Sequence, residues 1–189
     1  MLLTLKIGRL VGKMNFRWPL INDNVTEQDK KAVIDFLSQE GVRLTQGKKV
    51  QEFEKAWSEW LGVKHSVFVN SGASANYIMT AIARDIKGKG EVIVPPLGWV
   101  SDIAPVVNLG MTPVFVDINM NNLAITAERI EKAITPRTKA IVLVHALGFN
   151  GLSEKMLELS KKHNLMLIED CCESHGVEFQ GKKVGSFGD

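Results

Sequence analysis

The sequence predicts an α/β fold with a mainly parallel sheet covered by helices, and three observations predict it. Short runs rich in Val and Ile alternate with stretches of helical spacing, the pattern of repeated βα units. The runs are apolar nearly throughout, which suits strands covered on both faces. The last run, Leu165–Glu169, climbs into Asp170-Cys171-Cys172-Glu173-Ser174-His175-Gly176 and so delivers Asp170 at a strand's carboxyl end. In open α/β sheets that edge is where ligands sit.

Taken in order, Met1–Lys13 is mildly apolar and basic, with scattered charges and no small-residue cleavage site. It is expected to be an unstructured extension, not a signal peptide, with Met14 an alternative start. Asn24 or Thr26 can cap a helix through Ala32–Leu37, with Gly41 ending it. Val50, Phe53, Trp57, Trp60 and Leu61 fall at helical spacing, and Gly62 stops that helix. Their Trp and Phe stripe is expected in the core. Strands are expected at Ser66–Val69, Glu91–Val94, Pro113–Val116, Lys139–His145 and Leu165–Glu169. Helices are expected at Ala73–Asp85, Val100–Asn108, Ala127–Ala133 and Ser153–His163.

Composition narrows the function classes. The chain of 189 residues is 45% hydrophobic and 23% charged, which is globular and long enough for one core. A net charge of +2 with interspersed signs gives no field to collect nucleic acid. No segment is apolar for long enough to span a bilayer. Cys171 and Cys172 are sequence neighbours and cannot close an ordinary disulfide loop. They read as reduced thiols of a cytoplasmic protein.

Four stretches could carry chemistry. Asn70-Ser71-Gly72-Ala73-Ser74-Ala75-Asn76 follows an expected strand and opens a helix. Free N–H groups, small residues and serine hydroxyls there could cradle a phosphate, or Ser71 could be an ordinary N-cap. Pro95-Pro96-Leu97-Gly98-Trp99 lies past another strand, where the indole could stack on an aromatic ligand or cover the sheet's end. His145 follows the fourth strand and could touch a ligand or bond to backbone. Asp170 could cap the next turn or hold a charged partner such as a protonated ring nitrogen. A phosphate cradle, a stacking indole and an acid for a ring nitrogen are the three holds that pyridoxal 5'-phosphate needs. The glycine fingerprint of a dinucleotide-binding domain is missing after the first strand.

Taken together, these stretches resemble the DegT–StrS group of PLP-dependent nucleotide-sugar aminotransferases. The resemblance runs from near Phe16 to Asp189, through Leu44-Thr45-Gln46-Gly47, Phe53-Glu54, Asn70–Ala75, Trp99, Pro113–Asp117, His145–Gly148 and Glu169-Asp170. It implies the aspartate-aminotransferase-like large domain (PLP fold type I), of which residues 14–189 would be the amino-terminal part. It implies that Gly72, Ala73 and Ser74 hold the cofactor phosphate, that Trp99 stacks on the pyridine ring, and that Asp170 pairs with its nitrogen. Ala73 stands where the family commonly has Thr. Glu173 stands where it often has Gln, near the cofactor's phenolic oxygen, and a carboxylate there could repel the phenolate or share a proton with it.

The resemblance also implies a Schiff-base lysine beyond Asp189. Lys182 and Lys183 come too early and lie in an expected turn. The chain is therefore expected to be inactive alone, without its catalytic lysine, and no metal is expected at the site. The implied reaction moves an amino group from an amino acid, glutamate foremost, to a nucleotide-linked keto-sugar, in a homodimer with a shared active site. Two alternatives stand beside it. A sugar 3-dehydratase of the same family has His in place of the lysine, and the Asp170–Glu173 and Val184–Asp189 runs are somewhat similar to that subset. A non-catalytic dimerising fragment is the alternative from another class.

Overall fold

A computed structural model describes residues 24–189. The expected extension over Met1–Lys13, Met14, and the start of the resemblance at Phe16 lie outside them. The chain divides into two compact units between Thr45 and Gln46, a boundary the sequence did not suggest.

In the first unit, α1 spans Glu27–Leu37. Of the two expected caps it uses Thr26, whose hydroxyl accepts from Asp29 N–H at 3.2 Å while Asp29 Oδ2 accepts from Thr26 N–H at 2.8 Å. This capping box satisfies two donors that no helix can satisfy internally. The helix stops at Leu37, short of the expected Gly41, and buries none of its residues.

The second unit is a parallel sheet between two helical layers. Its elements are α2 (Lys48–Leu61), α3 (Gly72–Lys87), β1 (Glu91–Val94), α4 (Val100–Asn108), β2 (Thr112–Phe115), α5 (Ala127–Ala133), β3 (Thr138–Val144), α6 (Glu154–Lys162) and β4 (Met166–Asp170). A two-residue hairpin, β5 (Glu178–Phe179) with β6 (Lys182–Lys183), follows. The strand order is β2-β1-β3-β4, all parallel. The order reverses between β1 and β3, so a crevice opens at their carboxyl ends.

Strand periodicity sorts the core into two layers. Ile93, Ile141, Leu143 and Leu167 face one layer with Ile130 of α5 and Met156 of α6. Val92, Val94, Val142 and Ile168 face the other with Ala83 of α3 and Val106 of α4. Ile93, Ile141 and Leu143 are completely buried, and each such side chain stabilises the fold by about 1.5–3 kcal/mol.

Two expectations are corrected. Ser66–Val69 is not a strand among the described residues: it pairs with no neighbour, and Glu54 Oε1 of α2 accepts from Phe68 N–H at 2.8 Å instead. The Trp and Phe stripe of α2 is not core. Phe53 is 48% and Trp60 40% exposed, and Ser58 is the helix's buried residue. Its period marks one face of the helix but does not name what covers that face. Cys171 and Cys172 lie past the end of β4, in a turn. Gly62 does terminate α2, in the left-handed conformation (φ 82°) that a Cβ would disfavour. Among the described residues, no helix is long and apolar enough to cross a membrane.

Candidate active site

β4 aims two neighbouring acids in opposite directions. Glu169 follows Leu167 on the face toward α5 and α6, and Asp170 follows Ile168 on the face toward α3 and α4. A single strand thus feeds a structural cluster with one carboxylate and a candidate site with the other.

On the site face, Asn76 of α3 gathers two acids. Its Nδ2 donates to Asp170 Oδ2 at 3.0 Å and to Asp102 Oδ1, in the first turn of α4, at 2.9 Å. Asp102 Oδ2 accepts from Trp99 N–H at 2.8 Å, and Asp170 Oδ1 accepts from Cys172 N–H at 3.0 Å. Asp102 is only 3% exposed. Burial, reinforced by the neighbouring Asp170, pushes its carboxyl up to about 7 despite the Trp99 N–H. Burial also pushes Asp170 upward, but the donors from Asn76 and Cys172 and its bond with Asp102 outweigh it and hold Asp170 below the usual range. Of two carboxyls this close, one keeps the proton and the other the charge. Asp170 is the charged one of the pair, and its expected role as a cap holds: it accepts from Cys172 N–H in the turn that follows.

Trp99 stands at the N-cap of α4 and is 74% exposed. Gly98 before it is required by close approach, since a Cβ there would sit 2.9 Å from Asp102 Oδ2. Trp99, Leu97, Asp102, Leu147, Cys172 and Glu173 line a cavity of about 230 Å³ beyond the ends of β1 and β3, in the crevice of the reversed strand order. Ser71 and Gly72 line a different groove, beside Phe53, Phe68 and His175. The expected phosphate cradle and indole therefore share a sheet edge and are linked through Asn76, one turn below Gly72, but do not share one enclosed cavity.

Ser71 is the N-cap of α3, its Oγ accepting from Ser74 N–H at 3.1 Å. The N–H groups of Gly72 and Ala73, first in the helix, have no partner inside it. Both residues are exposed, and a Cβ on Gly72 would meet nothing within 4 Å. The N-cap reading of Ser71 holds, and the first two amides of the helix stay open beside it.

Glu173 has a partner the sequence did not anticipate. Its Oε2 accepts from Leu147 N–H at 2.8 Å. Leu147 sits in the short 3-10 turn Ala146–Gly148 with φ 53°, a conformation side chains disfavour. His145 turns out to be structural. It is completely buried, its Nδ1 accepts from Gly151 N–H at 3.1 Å, and its Nε2 therefore carries the proton toward Glu169 Oε2 at 3.1 Å. Glu169 also accepts from the N–H groups of Gly185, Phe187 and Gly188 at 3.0, 2.8 and 2.6 Å. Burial and nearby carboxylates raise both cysteine thiols, Cys172 to about 12, so neither is a thiolate nucleophile at neutral pH.

Sequence reasoning missed Asn76 and Asp102. Asp102 carries a legible signal: an acid three residues after a helix N-cap. Asn76 carries a weaker one, a polar residue one turn into a helix that packs against the sheet. The assembled donors and acceptors suit a phosphorylated aromatic ring with a basic nitrogen: amides for the phosphate, an indole for the ring, an ionised acid for the nitrogen.

Comparison with known proteins agrees with this chemistry. GDP-perosamine synthase of Caulobacter vibrioides is 41% identical over 143 residues, covering 76% of this chain and 38% of that protein. The X-ray structure of an aminotransferase from Psychrobacter cryohalolentis superposes with a TM-score of 0.80 at 35% identity, over 92% of this chain and 42% of that one. E. coli GDP-4-keto-6-deoxy-D-mannose-3-dehydratase with bound hydrated PLP superposes at 0.83 and 33% identity, over 91% and 45%. The chain thus spans less than half the length of these relatives. The profile of the DegT/DnrJ/EryC1/StrS aminotransferase family matches residues 23–189, and the chain belongs to that family, with the α/β architecture of the PLP fold type I enzymes.

Proposed function

We propose that residues 46–189 form the amino-terminal part of a pyridoxal 5'-phosphate site, in a protein that transfers an amino group from an amino acid such as glutamate to a nucleotide-linked keto-sugar. The observation that carries this is the ionised Asp170 at the end of β4, on the same edge as the open amides of Gly72 and Ala73 and the exposed Trp99. When bound, the cofactor supplies an electron sink for bonds at the amino-acid or sugar carbon.

The chain's own residues would bind and orient. The amides of Gly72 and Ala73, with Ser74, receive the phosphate at the start of α3, where the helix dipole favours an anion. Trp99 covers one face of the ring. Asp170 keeps the ring nitrogen protonated by pairing with it. Glu173, tied to Leu147 N–H and lining the same cavity as Trp99, stands by the phenolic oxygen. The lysine that bonds the cofactor lies beyond Asp189 in this reading. The protein would act as a cytoplasmic homodimer.

The test is a titration of the chain with PLP and with pyridoxal, followed by tryptophan fluorescence. PLP is expected to bind more tightly than pyridoxal. Equal affinity, or no binding of either, would refute the site. A second reading, sugar 3-dehydration, is supported by the likeness to the E. coli 3-dehydratase. The residues encoded after Asp189 separate the two: lysine at the bonding position supports amino transfer, and histidine supports dehydration.

A further inference from the structure

We propose that Asn76 is a positioning residue for Asp170, holding it and Asp102 as one buried acid pair so that the Asp170 carboxylate is already aimed when a ring nitrogen arrives; this rests on the cofactor reading above. Asn76 is 7% exposed, and its side-chain nitrogen has two hydrogens and two carboxylate partners, at 2.9 and 3.0 Å. The Ser101 hydroxyl, at 3.5 Å, is at the limit of a third contact. Its backbone carbonyl accepts from Thr80 Oγ1 at 2.7 Å, which fixes this turn of α3 further. The pair is built from three elements: Asn76 from α3, Asp102 from α4 and Asp170 from β4.

The placement has a functional consequence. The helix that presents the amides of Gly72 and Ala73 also carries Asn76 one turn deeper. The phosphate contacts and the acid that meets the ring nitrogen are thereby referred to one rigid body. The loop of Trp99 is tied to the same point, because Asp102 accepts from Trp99 N–H. A ring held by phosphate, face and nitrogen needs those three distances fixed together, and Asn76 is the group through which they are fixed. Asp102 keeps the proton of the pair, so Asp170 keeps the charge.

The experiment uses the full chain and two probes: PLP and its 1-deaza analogue, in which C–H replaces the ring nitrogen. Loss of Asn76 in Asn76→Ala is expected to weaken PLP by about tenfold and leave the deaza analogue nearly unchanged, since only PLP engages Asp170 through nitrogen. Equal weakening of both probes would make Asn76 a structural residue and overturn the assignment. Failure of the wild-type chain to bind either probe would overturn the cofactor reading, and this inference with it.

Asp102→Asn, which keeps an acceptor for Trp99 N–H, covers the case in which Asn76→Ala does not fold. The groups facing Asp102 are Asn76 from α3, Asp170 from β4, and Cys172 and Glu173 after β4. The wild-type preference for PLP over the deaza analogue is expected to rise with pH through about 7, as Asp102 loses its proton and the pair gains charge. In Asp102→Asn that rise should vanish. An identical pH profile in the two proteins would overturn the pairing.

Discussion

Asp102 and Asp170, carried by a helix and a strand distant in sequence, accept hydrogen bonds from the same amide nitrogen, that of Asn76, at 2.9 and 3.0 Å. Two acids on one donor divide the proton unequally. The buried Asp102 holds it up to about pH 7, while at Asp170 burial is outweighed by the donors from Asn76 and Cys172, which keep its carboxyl below the usual range.

This division gives a pH signature in stability. Asp102 has a folded-state pKa raised from 3.8 to about 7, so the folded chain binds more protons than the unfolded chain between those values. Its contribution is full below about 4 and is lost as pH rises toward 7. Wild type should therefore lose stability relative to Asp102→Asn across that window, read as the difference in thermal midpoints. A constant difference across the window would contradict it.

Glu169 should behave in the opposite sense. Its carboxylate is held below the ordinary range: burial opposes this, but His145 and the amides of Gly185, Phe187 and Gly188 outweigh it. The stability it contributes is present above the ordinary glutamate pKa and is lost as pH falls through the lowered one. Glu169→Ala would leave those donors without their acceptor, at a cost of about 3 kcal/mol by chemical denaturation. Hydrogen exchange at Gly185, Phe187 and Gly188 should accelerate first.

The indole of Trp99 should separate binding from folding. At 74% exposure it contributes little to the core, so Trp99→Ala should change stability by less than about 0.5 kcal/mol. If the indole stacks on the cofactor ring, Trp99→Ala should also weaken PLP binding by about tenfold, read by the visible absorption of PLP because the substitution removes an indole from the fluorescence signal.

Glu173 and Leu147 should be coupled. Glu173→Ala removes the acceptor of Leu147 N–H and should cost about 1 kcal/mol. Leu147→Gly relaxes the turn at φ 53°, so the double variant should be less destabilised than the sum of the two. Strict additivity by urea denaturation would show that the carboxylate does not support the turn.

Local pattern determined a good deal of this protein. Four of the five apolar runs became β1 to β4, α4 and α5 begin and end at the residues their spacing indicated, and Gly62 closes α2. Trp99 and Asp170 fall on the carboxyl edge of the sheet because strand-then-turn order fixes which edge a loop occupies, whereas Ser71 follows no strand among the described residues and its helix is tied to that edge through Asn76. The family likeness was legible for the same reason: it resides in short motifs whose chemistry is local.

Tertiary structure decided what depends on separate elements meeting. Only the packing of α3 and α4 against β4 brings Asn76 and Asp102 to Asp170. Only the turn after β3 gives Glu173 its partner in Leu147, and only the ends of β3 and β4 bury His145 against Glu169. Hydrophobic period reports which face of an element is apolar but not what covers it, so α2's aromatic stripe and the unpaired Ser66–Val69 run were misjudged. Hydrogen bonds between remote side chains leave no period in the sequence at all, because each partner alone looks like an ordinary polar residue.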